Sequence, residues 1–122
     1  VEGVYVARGV TVGNLIATLS AFLGEYYGKE VEVRTNPFYF PFTEPSIELS
    51  MKNPFSDKED DWIELVGCGM IHPNVLKAAD IDQNEYTGFA WGLGIDRLVM
   101  MKYGIEDVRH FESAKLDFLR QF

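Results

Sequence analysis

Cysteine is nearly absent: Cys68 stands alone, so no intrachain disulfide holds the fold, and with only two histidines no Cys/His spacing suits a structural zinc. No apolar run approaches the length of a membrane span, and no basic stretch followed by an apolar one opens the chain, so neither a transmembrane helix nor a signal peptide is read. Basic residues are outnumbered, 11 Lys and Arg against 19 Asp and Glu, for a formal net charge of −8. That balance argues against a nucleic-acid surface made by this chain itself; a nucleic-acid partner would be held by other parts of an assembly. Repeats and low-complexity segments are missing as well. The expectation is a soluble, cytoplasmic protein.

What is present suffices for one domain or less: 122 residues, 47% apolar and 14% aromatic, enough to bury a core. Val1 to Val6 is a β-rich run that starts mid-pattern without an initiator methionine, so the chain is expected to be cut from something longer. Thr11 caps a predicted helix from Val12 to Tyr27, with Val12, Leu15, Ile16, Leu19, Phe22, Leu23 and Tyr26 on one buried face and Gly28 as its stop. Strict alternation predicts strands over Glu30–Arg34 and Ser46–Met51. Between them, Pro37, Pro41 and Pro45 exclude a helix and a central strand position, leaving a stiff extended segment that carries Phe38, Tyr39, Phe40 and Phe42.

Lys52 to Asp61, which contains Asn53-Pro54 and the acidic run from Asp57, reads as a solvated hairpin loop. A strand over Trp62–Val66 runs into Gly67-Cys68-Gly69, where a backbone approaches something closely. His72-Pro73 opens a short helix with Val75, Leu76 and Ala79 as its apolar residues. Asp80 to Tyr86 is a loop, a further helix reaches Tyr103 with Gly104 as its stop, and Ser113 caps a last helix through Phe122. The order predicts an α+β fold, a mainly antiparallel sheet flanked by helices.

The stretch least explained by folding alone is Gly88-Phe89-Ala90-Trp91-Gly92-Leu93-Gly94-Ile95-Asp96-Arg97-Leu98, a glycine-rich strand feeding a helix. Gly92 and Gly94 suggest anion binding on free helix N–H groups, yet Arg97 stands where a dinucleotide fingerprint needs its third glycine, which excludes that fold. Arg97 also lies near the positive end of the helix dipole, the unfavourable end for a cation. Two readings stay open: a phosphate or carboxylate ligand held by its forked guanidinium, or an ordinary glycine strand with Arg97 paired to an Asp or Glu. Glu48 and Glu64 either face water or form a polar floor that binds a hard cation, for which Glu44, fixed among prolines, is the better candidate.

Three segments, Tyr39-Phe40-Pro41-Phe42-Thr43-Glu44-Pro45-Ser46, the run from Trp62 through Gly67-Cys68-Gly69-Met70-Ile71-His72-Pro73 to Leu76, and Gly88 to Leu98, together resemble the alpha subunit of bacterial-type phenylalanyl-tRNA synthetases. Tyr103-Gly104-Ile105 and Phe118 to Phe122 are similar to that subunit's C-terminal end, so nearly the whole chain is covered. The resemblance implies a class II aminoacyl-tRNA synthetase catalytic fold that activates phenylalanine with ATP and magnesium and transfers it to tRNA(Phe), in an alpha2beta2 assembly with a beta subunit. It implies Arg97 as the catalytic contact to ATP phosphates, joined on the ATP side by Gly94, Glu48 and Glu64. Phenylalanine would meet Phe40, Phe42, Gly67, Cys68, Gly69, Ala90 and Gly92, with Ala90 at the pocket bottom, and Glu44 would be a magnesium ligand. Such chemistry rests on positioning and charge neutralisation, so no nucleophilic Ser/His/Asp or Cys/His set is needed, and His72 and Cys68 are structural or pocket-lining.

The pattern also departs from the family. Residues 1–122 would run from the tail of the second class II motif, at Glu2-Gly3, through the third; the first motif and the second motif's arginine have no counterpart here. Trp91 stands where phenylalanine is common and Asp96 where glutamate is common. On this basis the chain alone is not expected to aminoacylate tRNA. The alternatives are a truncated paralogue acting as a binding or scaffolding module, and an unrelated α+β domain whose glycines serve packing.

Overall fold

The structure, a computed structural model, describes residues 1–53, 56 and 58–121. Pro54, Phe55 and Asp57 of the predicted loop, and the Phe122 end of the predicted last helix, lie outside the described residues. The chain runs β1 (Glu2–Ala7), α1 (Val12–Tyr27), β2 (Val33–Phe38), β3 (Thr43–Lys52), β4 (Trp62–Ile71), α2 (Pro73–Ala78), β5 (Thr87–Leu93), α3 (Ile95–Tyr103), α4 (Arg109–Glu112) and α5 (Leu116–Leu119). The five strands form one antiparallel sheet in the order β1-β5-β4-β3-β2. The expected α+β layering is therefore what the chain adopts. Among the described residues no helix is long and apolar enough to cross a membrane.

Helix α1 is fixed at both ends by local chemistry. Thr11 and Asn14 close a capping box, the Thr11 N–H donating to Asn14 Oδ1 at 2.9 Å and the Asn14 N–H to Thr11 Oγ1 at 3.3 Å. Gly28 ends the helix at φ 69°, a left-handed conformation that glycine adopts without penalty. The buried face is Leu15, Leu19, Leu23 and Tyr27 rather than the broader predicted stripe; Tyr26 is only half-buried and Phe22 is exposed. A repeat of four residues tracks the sheet more closely than the seven-position stripe, and the last contact passes to Tyr27 because its hydroxyl reaches the Leu98 carbonyl of α3 at 3.4 Å. Burial pushes the Tyr27 hydroxyl up to about 12. Lys102 of α3 donates to the Tyr26 carbonyl at 3.1 Å, a second tie between the two helices.

The sheet is apolar toward α1. Ile47, Cys68 and Trp91 lie directly opposite one another on β3, β4 and β5, and Leu49, Val66 and Leu93 form the neighbouring row. Leu49 is fully buried and Val66 is 1% exposed.

Four readings differ from expectation, the two in the sheet for long-range reasons. The second strand is Val33–Phe38, not Glu30–Arg34, because its partner β3 sets the pairing from Val33↔Met51 to Phe38↔Ser46. Pro37 is tolerated there because β2 is an edge strand. Pro45, by contrast, lies in a strand with neighbours on both sides; it fits because the β3–β4 register jumps between Thr43 and Ser46, leaving Pro45 opposite no ladder partner. In α2 only Leu76 is buried: Val75 is exposed and Ala79 is already the C-cap. Ser113 is the C-cap of α4, and Lys115 precedes α5 without a side-chain cap, so the single predicted last helix is two short ones.

If the four-residue stripe carries the core, Leu19→Ala costs about 2–5 kcal/mol in urea unfolding. Phe22→Ala, removing an exposed ring stacked on Tyr26, is expected to cost about 1 kcal/mol or less.

Candidate functional site

The opposite face of the sheet carries a second set of rows. Asn36, Glu48, Gly67, Gly92 and Glu2 face one another across all five strands, and Ser46, Gly69, Ala90 and Val4 form the next row. Toward β4 and β5 these rows hold only glycine and alanine, so the centre of this face is almost bare of side chains. A cleft of about 970 Å³ opens there, floored by Gly67, Ala90 and Gly92 and bounded by Glu2, Phe40, Phe42, Leu65, Cys68, Gly94, Asp96 and Arg97. That volume is at the upper end of the roughly 300–1,000 Å³ typical of ligand sites.

The aromatic wall comes from the turn between β2 and β3. Phe40 and Phe42 stack with centroids 5.7 Å apart and planes at 16°, and Phe38 lies 5.0 Å from Phe40. Ser46 locks the turn: its Oγ accepts from the Phe40 N–H at 2.9 Å, donates to the Thr43 carbonyl at 2.9 Å and lies 2.7 Å from Thr43 Oγ1. The His72 N–H holds the Phe42 carbonyl at 3.0 Å, tying the turn to the end of β4.

The charged end belongs to α3. Arg97 sits in its first turn and donates from Nη1 to the Glu64 carbonyl at 2.7 Å. It makes no ion pair with an Asp or Glu among the described residues; within the chain its partner is a backbone carbonyl. Arg97 lines the cleft, and one such bond leaves further guanidinium N–H groups able to donate. Gly94, the N-cap, provides no side-chain cap, and a Cβ placed on it would meet nothing within 4 Å, so packing does not require glycine there.

Glu48, half-buried, lies beside Glu64 and near Arg97. Its carboxyl is held above the ordinary 4.5 by partial withdrawal from water, then by hydrogen bonding and like-charge repulsion with Glu64, against the opposing pull of Arg97. Cys68 is buried, and burial pushes its thiol up to about 11, so it stays protonated at neutral pH and is no nucleophile.

The structure thus brings Phe40, Phe42, Gly67, Cys68, Ala90, Gly92, Gly94 and Arg97 to one cleft. Glu48 and Glu64 stand at its charged border without lining it. Gly69 is roofed by the turn: a Cβ there would run into the Pro45 carbonyl and approach Thr43 Cβ within 2.8 Å, so packing accounts for its smallness, and it does not line the cleft. Glu44 is exposed and outside the cleft. Among the described residues no group of three or more His, Cys, Asp or Glu is placed to hold a metal, so these residues by themselves do not fit a magnesium site. Glu2 and Asp96 line the cleft, a role the sequence pattern does not assign to either. Glu2 reaches it because β1 pairs with Gly92, ninety positions along the chain, a pairing that local pattern does not reveal.

A family model for the class II core domain of tRNA synthetases (F) matches residues 1–122. The phenylalanine–tRNA ligase alpha subunit of Leptospira biflexa serovar Patoc (strain Patoc 1 / Ames) is 46% identical over 129 residues, covering 100% of this chain and 38% of that protein. The subunit of the same name from Acinetobacter baumannii (strain AYE) is 48% identical over 122 residues, covering 100% and 36%. That from Photobacterium profundum is 47% identical over 122 residues, again covering 100% and 36%. The chain spans well under half the length of these relatives.

The Glu48 carboxyl generates a pH prediction. A group whose folded pKa is raised contributes stability that is full below its unfolded pKa and lost as pH rises through the folded value. Melting temperature is therefore expected to decline above pH 4.5 through this group, and Glu48→Gln to flatten that decline. Superimposable pH profiles for the two proteins would contradict the assignment.

Proposed function

Because the chain belongs to the class II core-domain family of tRNA synthetases, we propose that it is the C-terminal portion of the catalytic domain of a phenylalanine–tRNA ligase alpha subunit, running from the tail of the second class II motif through the third. The observation that carries this reading is the convergence of an aromatic pair, a floor without side chains and a helix-borne arginine on one cleft. The activity is ATP-dependent formation of phenylalanyl-adenylate, followed by transfer to tRNA(Phe), in an assembly with a beta subunit. Regions outside this acidic chain would make most of the tRNA contacts.

In this reading the phenylalanine ring lies against Phe40 and Phe42 with Ala90 beneath it. The ring quadrupoles favour tilted or edge contacts, and the missing side chain of Gly92 leaves room for the backbone of the amino acid. Glu2, beside Gly92, suits the ammonium group. The substrate carboxylate attacks the α-phosphorus of ATP; a new P–O bond forms as the bond to pyrophosphate breaks. A tRNA terminal hydroxyl then attacks the carbonyl carbon and AMP leaves.

Arg97 offers its free N–H groups to the phosphates, steadied by its bond to the Glu64 carbonyl. The open approach at Gly94 exposes the first N–H groups of α3 to the same charge. Glu48 and Glu64 border this region, and the Glu64 carbonyl orients Arg97 from the sheet side. Magnesium, if used, requires ligands from beyond the described residues, with Glu44 contributing one at most; no step here depends on it.

Two measurements test this function, both on the full-length subunit assembled with its beta partner. Phenylalanine-dependent ATP–pyrophosphate exchange should fall on the order of 10²–10³-fold in Arg97→Ala, the loss typical of one removed charge-stabilising donor. Undiminished exchange in that variant would remove Arg97 from the phosphate site. Ala90→Gly should admit para-chlorophenylalanine, which the parent excludes; equal rejection by both would take Ala90 off the pocket bottom. A tyrosine hydroxyl meets no partner at such a wall, but an apolar pocket alone discriminates by only about 10–200-fold.

A further inference from the structure

Gly67 has a consequence that floor-lining alone does not explain. A Cβ built on it would lie 2.8 Å from Phe40 Cζ and 3.3 Å from Phe40 Cε2, so the Phe40 ring already occupies the space above this glycine. The backbone at Gly67 does not require positive φ, so only this contact resists a larger residue. The ring cannot retreat by shifting its own backbone, because the Phe40 N–H is tied to Ser46 Oγ at 2.9 Å and Ser46 is tied in turn to Thr43. Sideways movement would have to displace Phe38 or Phe42, which flank it at 5.0 and 5.7 Å. The remaining escape is rotation of the ring into the cleft.

We infer that Gly67 is a positioning residue which sets the depth of the amino-acid pocket through Phe40, not through its own contact with the substrate. This rests on the phenylalanine-activating function proposed above. Adding a methyl at position 67 tips the Phe40 ring toward the space that the substrate ring needs, whereas the phosphate end, built on α3, is untouched.

The test is a double-mutant cycle of Gly67→Ala and Phe40→Leu in the full-length assembled enzyme, read by ATP–pyrophosphate exchange. Gly67→Ala should raise KM for phenylalanine about tenfold, a misfit of roughly one methylene in an apolar pocket, with KM for ATP unchanged. In the Gly67→Ala background, Phe40→Leu should cost less than it costs in the parent, because the smaller side chain accepts the new methyl; such non-additivity is the mark of two residues acting through one contact. Additive penalties would mean that Gly67 meets the substrate itself and would overturn the inference. If Gly67→Ala alone fails to fold, the double variant should regain the parent's melting behaviour, and its failure to do so would overturn the inference as well. Absence of phenylalanine-dependent exchange in the unsubstituted enzyme would instead overturn the proposed function, and this inference with it.

Discussion

Side-chain volume disappears toward the middle of one sheet face, and the rest of the arrangement depends on that gradient. Along the row Asn36, Glu48, Gly67, Gly92 and Glu2, polar side chains stand on the flanking strands β1, β2 and β3 and nothing larger than hydrogen on β4 and β5. The face toward α1 is filled in the usual way by Ile47, Leu49, Val66 and Leu93. A sheet so packed on one side is rigid enough to leave the other side hollow, since close-packed interiors have low compressibility. The Phe40–Phe42 turn and the first turn of α3 border the hollow.

Each wall of the hollow is held by backbone groups. Ser46 fixes the aromatic turn by bonding the Phe40 N–H and the Thr43 carbonyl, His72 holds the Phe42 carbonyl, and the Glu64 carbonyl anchors Arg97. Tying side chains to the main chain of neighbouring strands places them with the precision of the sheet itself, which suits a reaction governed by alignment of bound groups. The charges are distributed in keeping with this: carboxylates and one guanidinium at the border, and an apolar interior in which Cys68 stays a protonated thiol.

Local sequence signals identified what local physics decides. Thr11, Gly28 and Gly104 terminate their helices as their side chains or φ preferences dictate, and the glycine-rich stretch from Gly88 does feed a helix that carries Arg97 in its first turn. The features that escaped are set by pairings across long sequence distances. The β2 register follows from β3, the place of Pro45 follows from a bulge, and Glu2 enters the cleft only because β1 lies beside β5. Gly67 and Gly69 look alike in sequence, yet one lies under a ring at the cleft floor and the other under a turn. The resemblance read from three motifs agrees with the family match over residues 1–122, which leaves no place for an unrelated α+β domain whose glycines serve only packing.

The central claim, that this hollow receives the ring of an amino acid, is most directly tested by nuclear Overhauser contacts between L-phenylalanine and the assembled, full-length subunit. The account predicts saturable contacts from the ligand's ring protons to the Ala90 methyl and to the rings of Phe40 and Phe42. Contacts confined to other surfaces, or no saturable contact in a folded sample, would contradict it.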